Sequence, residues 1–180
     1  MALCGNIQEV VSEAAARAKD ADIPVSFDMN YRTRLWTPKM ARDITGPLIK
    51  GIEILFCGRS DAQRVFGCTG SPKEIVTQLA ELSGAHTVVM SMSHEGLMSW
   101  QGGKYWHVPA RDVVILDRIG AGDAMVAGVL HGYLQGEFRK GLEYGALLAA
   151  LSLSQYGDQP VTNRSELEVL LEEDGGDIVR

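Results

Sequence analysis

The segment Asp117-Arg118-Ile119-Gly120-Ala121-Gly122-Asp123-Ala124 gathers the groups in this chain best suited to hold and move charge. It follows a β-branched apolar run (Val113, Val114, Ile115) and opens a long amphipathic pattern of helical period. A glycine-bracketed turn at a helix start aims several free backbone N–H groups, and the positive end of the helix dipole, at one point. A phosphate suits that point. Asp123 stands where a carboxylate takes the proton from a hydroxyl attacking that phosphate. An anion cradle beside a base is what phosphoryl transfer to an alcohol requires. The competing reading is structural, because aspartate caps helices well and glycines shape turns. An isolated Gly-x-Gly-Asp does not choose between the two. Two other glycine motifs are excluded. A dinucleotide fingerprint needs a small residue where Met125 stands, and Gly67-Cys68-Thr69-Gly70-Ser71-Pro72 lacks the lysine of a P-loop.

The elements that must position this turn follow from periodicity. Ile7, Val10, Val11, Ala14, Ala15 and Ala18 predict an amphipathic helix over residues 6–20. Strands are expected at Ile23–Phe27, Ile52–Phe56 and Val88–Met92, with a hairpin at Leu97–Trp100 and Lys104–Val108 around Gln101-Gly102-Gly103. Thr37-Pro38 reads as an N-cap followed by proline at the first helical position, and a short helix starts near Ser60. Ser71-Pro72-Lys73-Glu74 has capping-box spacing, with Ile75, Val76, Leu79 and Leu82 as the buried stripe. In the helix after the glycine turn, Val126, Val129, Leu130, Tyr133 and Leu134 form the expected apolar face. Ala124, Ala127 and Gly128 allow a neighbour to approach closely. An apolar helix at Leu142–Leu153 and a capping-box helix beginning at Ser165 complete the order, before a fraying Asp174–Asp177 tail. Strands alternating with helices make this an α/β chain with a parallel sheet covered on both faces. Ligands of such sheets gather beyond the carboxyl ends of the strands. Asp28–Arg34, Gly58–Asp61, Ser91–Gly96 and Gly120–Asp123 are therefore expected along one rim.

Composition narrows the class. The chain has 180 residues, 46% of them hydrophobic and 22% charged, and a net charge of −6. That is ordinary for a single soluble domain, without repeats or linkers. No lysine or arginine block is present; Tyr31-Arg32-Thr33-Arg34 suits one small anion rather than a nucleic acid. Cys4, Cys57 and Cys68 form no Cys-x-x-Cys pair and read as reduced thiols of a cytoplasmic protein. The four histidines lack zinc-site spacing, with His131 read as structural or surface, and the most apolar stretch, Ala146–Leu153, is too short to cross a bilayer.

The glycine turn closely resembles the C-terminal signature of the ribokinase-like (PfkB-type) carbohydrate kinases. Phe27-Asp28-Met29-Asn30-Tyr31-Arg32-Thr33-Arg34-Leu35-Trp36 is similar to the Asp-x-Asn-x-Arg segment of that family. The trailing Leu-Trp and the Asp-Arg-Ile start of the glycine turn most resemble 2-keto-3-deoxygluconate kinases. The resemblance implies a three-layer α/β/α sandwich with a mainly parallel sheet. It also implies transfer of phosphate from ATP, with magnesium, to a sugar or sugar-acid hydroxyl. By the same resemblance Asp123 is the general base and touches substrate. Gly120, Ala121 and Gly122 form the anion hole, and Asn30 and Arg32 bind substrate or ATP phosphates. A guanidinium at Arg32 matches the carboxylate end of a sugar acid. The structural alternative for Arg32 is a surface pair with Asp28 or Asp43. Arg34 reads as surface charge and Trp36 as packing.

Two segments depart from the family pattern. Where the family has Asn-x-x-Glu, which arranges magnesium-bound water, this chain has Gly58-Arg59-Ser60-Asp61, leaving Asp61 as the acid. The nucleotide loop, usually Gly-x-x-Gly, reads Ser93-His94-Glu95-Gly96 after Ser91, so Ser91, Ser93 and Gly96 join Gly120 and Gly122 as expected ATP contacts. The resemblance covers only the C-terminal part of the family fold and omits its β-sheet lid. Losing a lid leaves a site wet, and losing central strands exposes an edge that pairs with another chain. The expectation is weak activity alone or dependence on association, a homo-oligomer being one form of it. A monovalent-cation requirement stays open. The alternatives are fructokinase-, ribokinase- or nucleoside-kinase-like specificity, and a non-catalytic nucleotide-binding fragment.

Overall fold

The computed structural model describes residues 5–172. It comprises two compact units, one running through Met92 and including Met98–Tyr105, the other made of Ser93–Leu97 and the chain from Trp106 onward.

The first unit is built on a sheet whose strand order is β1-β2-β3-β4-β5. Strands β1 (Ser26–Asp28), β2 (Ile54–Gly58) and β3 (Thr87–Ser91) are parallel, with Asp28 opposite Phe56 and Gly58 opposite Ser91. Strands β4 (Leu97–Gln101) and β5 (Lys104–Val108) form the hairpin, turned at Gly102 and Gly103 with φ of 54° and 82°. Two consecutive positive φ angles are what a two-residue hairpin turn needs, hence the glycine pair. The parallel strands lie one to three residues from their expected places. In β1 and β2 the apolar run begins in the preceding turn, before the ladder does, whereas the β3 ladder already includes Thr87 ahead of its run. Ile23 illustrates the first case: it lies outside β1 and is 58% exposed.

Local chemistry sets the helix boundaries. Helix α1 spans Gly5–Asp20. Helix α2 (Pro38–Leu48) starts on Thr37, whose Oγ1 accepts from Met40 N–H at 3.2 Å, with Pro38 next. Helix α3 (Arg59–Phe66) ends on Gly67 in the left-handed region. In α4 (Pro72–Ser83) the capping box is complete: Ser71 Oγ accepts from Glu74 N–H at 3.4 Å, and Glu74 Oε2 accepts from Ser71 N–H at 2.7 Å. Ile75, Val76 and Leu79 are buried as the stripe requires, against a core holding Leu55, Val65, Val88 and Met90. Leu82 is only partly buried. Helix α1 has the expected length but no buried residue among those described, and its Ile7 and Val10 are 45% and 63% exposed.

The second unit rests on α5 (Ala121–Leu134) packed on α6 (Phe138–Leu153), with α7 (Arg164–Glu172) after them. Glycines make the α5–α6 contact. A Cβ on Gly128 would lie 2.6 Å from Gly145 N, and one on Gly132 would lie 2.2 Å from Gly141 Cα. The buried face of α5 is therefore Ala124, Met125, Gly128, Val129 and Gly132. Leu134, assigned to that face by periodicity, is 77% exposed, because main-chain contact rather than large side chains sets this interface. Helix α6 starts at Phe138, a turn before its apolar run. The start of α7 also differs: Asn163 Oδ1 accepts from Glu166 N–H at 3.1 Å, and Ser165 lies inside the helix. Glu168, the acid of the supposed capping box, instead accepts from Tyr144 Oη at 2.8 Å and Lys140 Nζ at 3.1 Å. Val113, Val114 and Ile115 form no strand, and Val114 is 76% exposed. The Asp174–Asp177 tail and Cys4 lie outside the described residues, while Cys57 and Cys68 are free and buried. Among the described residues no helix is long and apolar enough to cross a membrane.

Candidate active site

In the first unit, polar groups cluster at the carboxyl ends of three adjacent parallel strands. Asp28 ends β1, Gly58 ends β2 and Ser91 ends β3. Asn30 adopts φ 37°, which asparagine tolerates better than most residues, and its N–H donates to Asp28 Oδ1 at 3.2 Å. This turn carries the chain from β1 to Asp61, whose Oδ2 accepts from Tyr31 N–H at 3.3 Å. A Cβ at Gly58 would lie 3.6 Å from Ser91 Oγ and 3.7 Å from Asp61 Oδ2. Asp28, Gly58, Asp61 and Ser91 are thus brought together by the sheet register. Arg32 is exposed and close enough for its charge to act on Asp61. Its guanidinium makes no ion pair among the described residues, and Asp43 pairs with Lys39, so the structural alternative for Arg32 is not realised.

Burial pushes the Asp61 carboxyl up from its ordinary range, against the Tyr31 N–H bond, Arg64, Ser60 and Arg32, which pull it down. Burial also pushes the Cys57 thiol well up, with Asp61, Cys68 and Asp28 adding to the effect, so Cys57 is a packing residue and no nucleophile. The sign for Asp61 follows from linkage. As pH rises from the unfolded carboxyl value of about 3.9 toward the higher folded one, the native state holds the extra proton, and stability falls. Asp61→Asn keeps the acceptor for Tyr31 N–H and removes that fall. Thermal melts across the acidic range should show the variant more stable than the wild type at neutral pH and level with it at low pH. A variant less stable at neutral pH would show that the ionised carboxylate is favoured here.

In the second unit the glycine turn has the geometry of an anion cradle. Gly120 is the N-cap of α5 with φ 80°, and no side chain caps the helix. Its missing Cβ is obligatory, since that atom would sit 2.2 Å from Asp158 O. The first intrahelical bond of this turn runs from Ala124 N–H to Gly120 O at 2.8 Å. The amides of Ala121, Gly122 and Asp123 therefore have no partner within the helix, as at any helix start, and here no cap takes them. Asp123 occupies the third helical position, is exposed, and makes no hydrogen bond or ion pair among the described residues. It is not the cap. Asp117, given no role from sequence, braces the turn: its Oδ1 accepts from Ile119 N–H at 3.1 Å and its Oδ2 from Gly157 N–H at 3.3 Å. The Ile119 N–H, with that of Gly157, holds its carboxyl low. An aspartate three residues before the first glycine of the turn was the available signal for such a brace.

The Ser93–Glu95 segment is one 3₁₀ turn of the same unit. Ser93 has φ 56°, in the left-handed region that favours glycine. Gly96 has φ 86°, and a Cβ there would lie 2.1 Å from Val108 O. The Glu95 carbonyl is 2.8 Å from His107 Nε2. His131 is exposed, with its ring edge toward Tyr144, and acts as a surface histidine.

Known proteins locate this arrangement. Residues 2–173 match the pfkB family carbohydrate kinase description. A 2-dehydro-3-deoxygalactonokinase of Haloferax volcanii is 32% identical over 98% of this chain and 55% of its own length. A 2-dehydro-3-deoxygluconokinase of Thermoproteus tenax is 31% identical, over 95% of this chain and 52% of its own. The crystal structure of 2-dehydro-3-deoxygluconokinase from Thermotoga maritima superposes with a TM-score of 0.87 at 24% identity, covering 95% of this chain and 56% of that one. The chain therefore spans about half the length of the relatives it matches. It has their mixed, mostly parallel sheet, and it belongs to the pfkB family of carbohydrate kinases.

Proposed function

We propose that the protein takes part in ATP-dependent phosphorylation of a sugar-acid hydroxyl, most simply that of 2-keto-3-deoxygluconate to its 6-phosphate. The observation that carries this reading is the uncapped start of α5, where free amides, those of Ala121 and Gly122 among them, and an uncommitted carboxylate, Asp123, share one helical turn. Asp123 accepts the proton of the attacking hydroxyl, and the amides of Gly120, Ala121 and Gly122 face the charge that develops on the transferred phosphoryl group. Ser91, Ser93, Gly96, Gly120 and Gly122 serve the nucleotide. Asn30 and Arg32 serve the substrate.

Among the described residues no three His, Cys, Asp or Glu side chains group into a metal cage. Magnesium carried on nucleotide phosphates needs no such cage, and half-buried Asp61 is suited to hold one of its waters. When bound, the ion supplies charge neutralisation across the phosphates.

The assay is phosphate transfer from Mg-ATP to a panel of sugars and sugar acids, with wild type and Arg32→Ala. If Arg32 forks onto the substrate carboxylate, the variant should lose about 10- to 100-fold in kcat/KM on sugar acids, one to three kcal/mol of charged hydrogen bonding, and little on neutral sugars. Equal losses on both classes would assign Arg32 to phosphates or structure. ATP binding by calorimetry without transfer to any sugar would favour the nucleotide-binding reading.

A further inference from the structure

One cleft of the first unit is used by none of the roles above. It has a volume of about 660 Å³ and lies between the turn after β1, the start of α2 and Arg64 of α3. From its chemistry we infer that it binds an oxyanion carried on an apolar body. The cleft is within the size range of small-molecule sites.

Electrostatics is the first argument. Two guanidiniums, Arg34 and Arg64, line the cleft, and no carboxylate does. In a chain of net charge −6 that is a local inversion of sign. Neighbouring cations are committed elsewhere: Lys39 pairs with Asp43, and Arg42 donates to Val65 O. Arg34 and Arg64 make no ion pair or hydrogen bond among the described residues. The charge of Arg64 is felt by Asp61, but Asp61 does not line the cleft. Guanidiniums left uncommitted in this way are suited to fork onto a carboxylate or phosphate.

The walls supply the second argument. Trp36 is half-buried, while Leu35 and Met40 are 43% and 48% exposed, so the cleft offers apolar surface beside its charges. Its frame is fixed before any ligand arrives. Tyr31 is buried and donates its Oη–H to Trp36 O at 2.9 Å, and Leu35 N–H donates to Arg32 O at 3.0 Å. A braced wall loses little freedom on binding. The site is also distinct from the substrate residues proposed above. Tyr31 and Thr33 line it, whereas Asn30 and Arg32 on the same turn do not.

The test titrates the protein at low salt with phenyl phosphate, benzoate and benzyl alcohol, following tryptophan fluorescence. Both anions should give a saturable change that disappears in Trp36→Phe, and the neutral alcohol should give none. Arg34→Gln and Arg64→Gln should each weaken anion binding at least tenfold, while Arg32→Gln leaves it unchanged. Tighter binding of phenyl phosphate identifies a phosphorylated ligand, and tighter binding of benzoate a carboxylate. Both arginines are exposed, so circular dichroism should report folded variants; if one is unfolded, the other decides. Equal binding of benzyl alcohol would overturn the inference. So would wild-type affinity in the arginine variants, or an equal loss in Arg32→Gln, which would merge this cleft with the substrate residues.

Discussion

Replacing Asp123 with asparagine is expected to lower phosphoryl transfer by about a thousandfold or more while leaving ATP affinity within about twofold. General-base assistance contributes about 10²- to 10⁴-fold, and an asparagine of the same shape cannot accept the proton. Asp123 makes no hydrogen bond that the exchange would break, and it is exposed at the third position of α5. The fold should therefore be indifferent to the change. Were Asp123 a cap, asparagine would serve almost equally well and activity would survive. The cap position belongs to Gly120. Single-turnover rates, with ATP affinity measured by calorimetry, separate the two cases. Undiminished transfer by the variant would remove Asp123 from the chemistry.

The second large effect concerns stability. Gly132→Ala should destabilise the protein by about 3 kcal/mol or more, a fall in melting midpoint of roughly 6 to 12 °C for a chain of this size. The new Cβ would meet the main chain of α6, 2.2 Å from Gly141 Cα and 2.4 Å from Gly141 N. Backbone cannot step aside as a side-chain tip can, so the helices must part and give up contact along α5 and α6. Gly46→Ala in α2 is the control. Nothing beyond its chain neighbours lies within 4 Å of its added methyl, but Pro47 follows it, so the gain in helix propensity is offset by the pre-proline clash and stability should move by less than about 1 kcal/mol. Equal melts for both variants would show that the α5–α6 approach is looser than this geometry.

These two predictions mark what could and could not be read from residues. Features specified by local chemistry were legible. Thr37-Pro38, the Ser71–Glu74 box and the Gly102-Gly103 turn each satisfy particular backbone groups within four residues, so their effect is written in adjacent positions. Long-range decisions were legible only in part. Periodicity put Leu134 on the packed face of α5, and it is exposed; the close approach expected of Ala124 and Gly128 is made by α6, but the part played by Gly132, and the exposure of Ala127, depend on where Gly141 and Gly145 fall. At α7, Glu168 had the spacing of a capping acid yet was drawn to Tyr144 and Lys140, partners more than twenty residues away. Ser93 stands where the resemblance expects glycine, and only its φ shows that its backbone sits in the left-handed region that favours glycine. The glycine turn itself was read correctly as a helix start, whereas its brace, Asp117, depends on Gly157, forty residues on.

Helix α1 and strand β1 have a consequence for handling the protein. Strands β2 and β3 are buried along nearly their whole length, but β1 leaves Ser26 and Asp28 exposed, and α1 shows Ile7 and Val10 to water. The outer strand edge at β1 and the exposed Ile7 and Val10 of α1 each favour self-adhesion, which the chain's excess negative charge opposes. The chain's colloidal behaviour should follow that balance: kept dispersed by mutual repulsion in dilute buffer, and prone to cloud as added salt screens its excess negative charge.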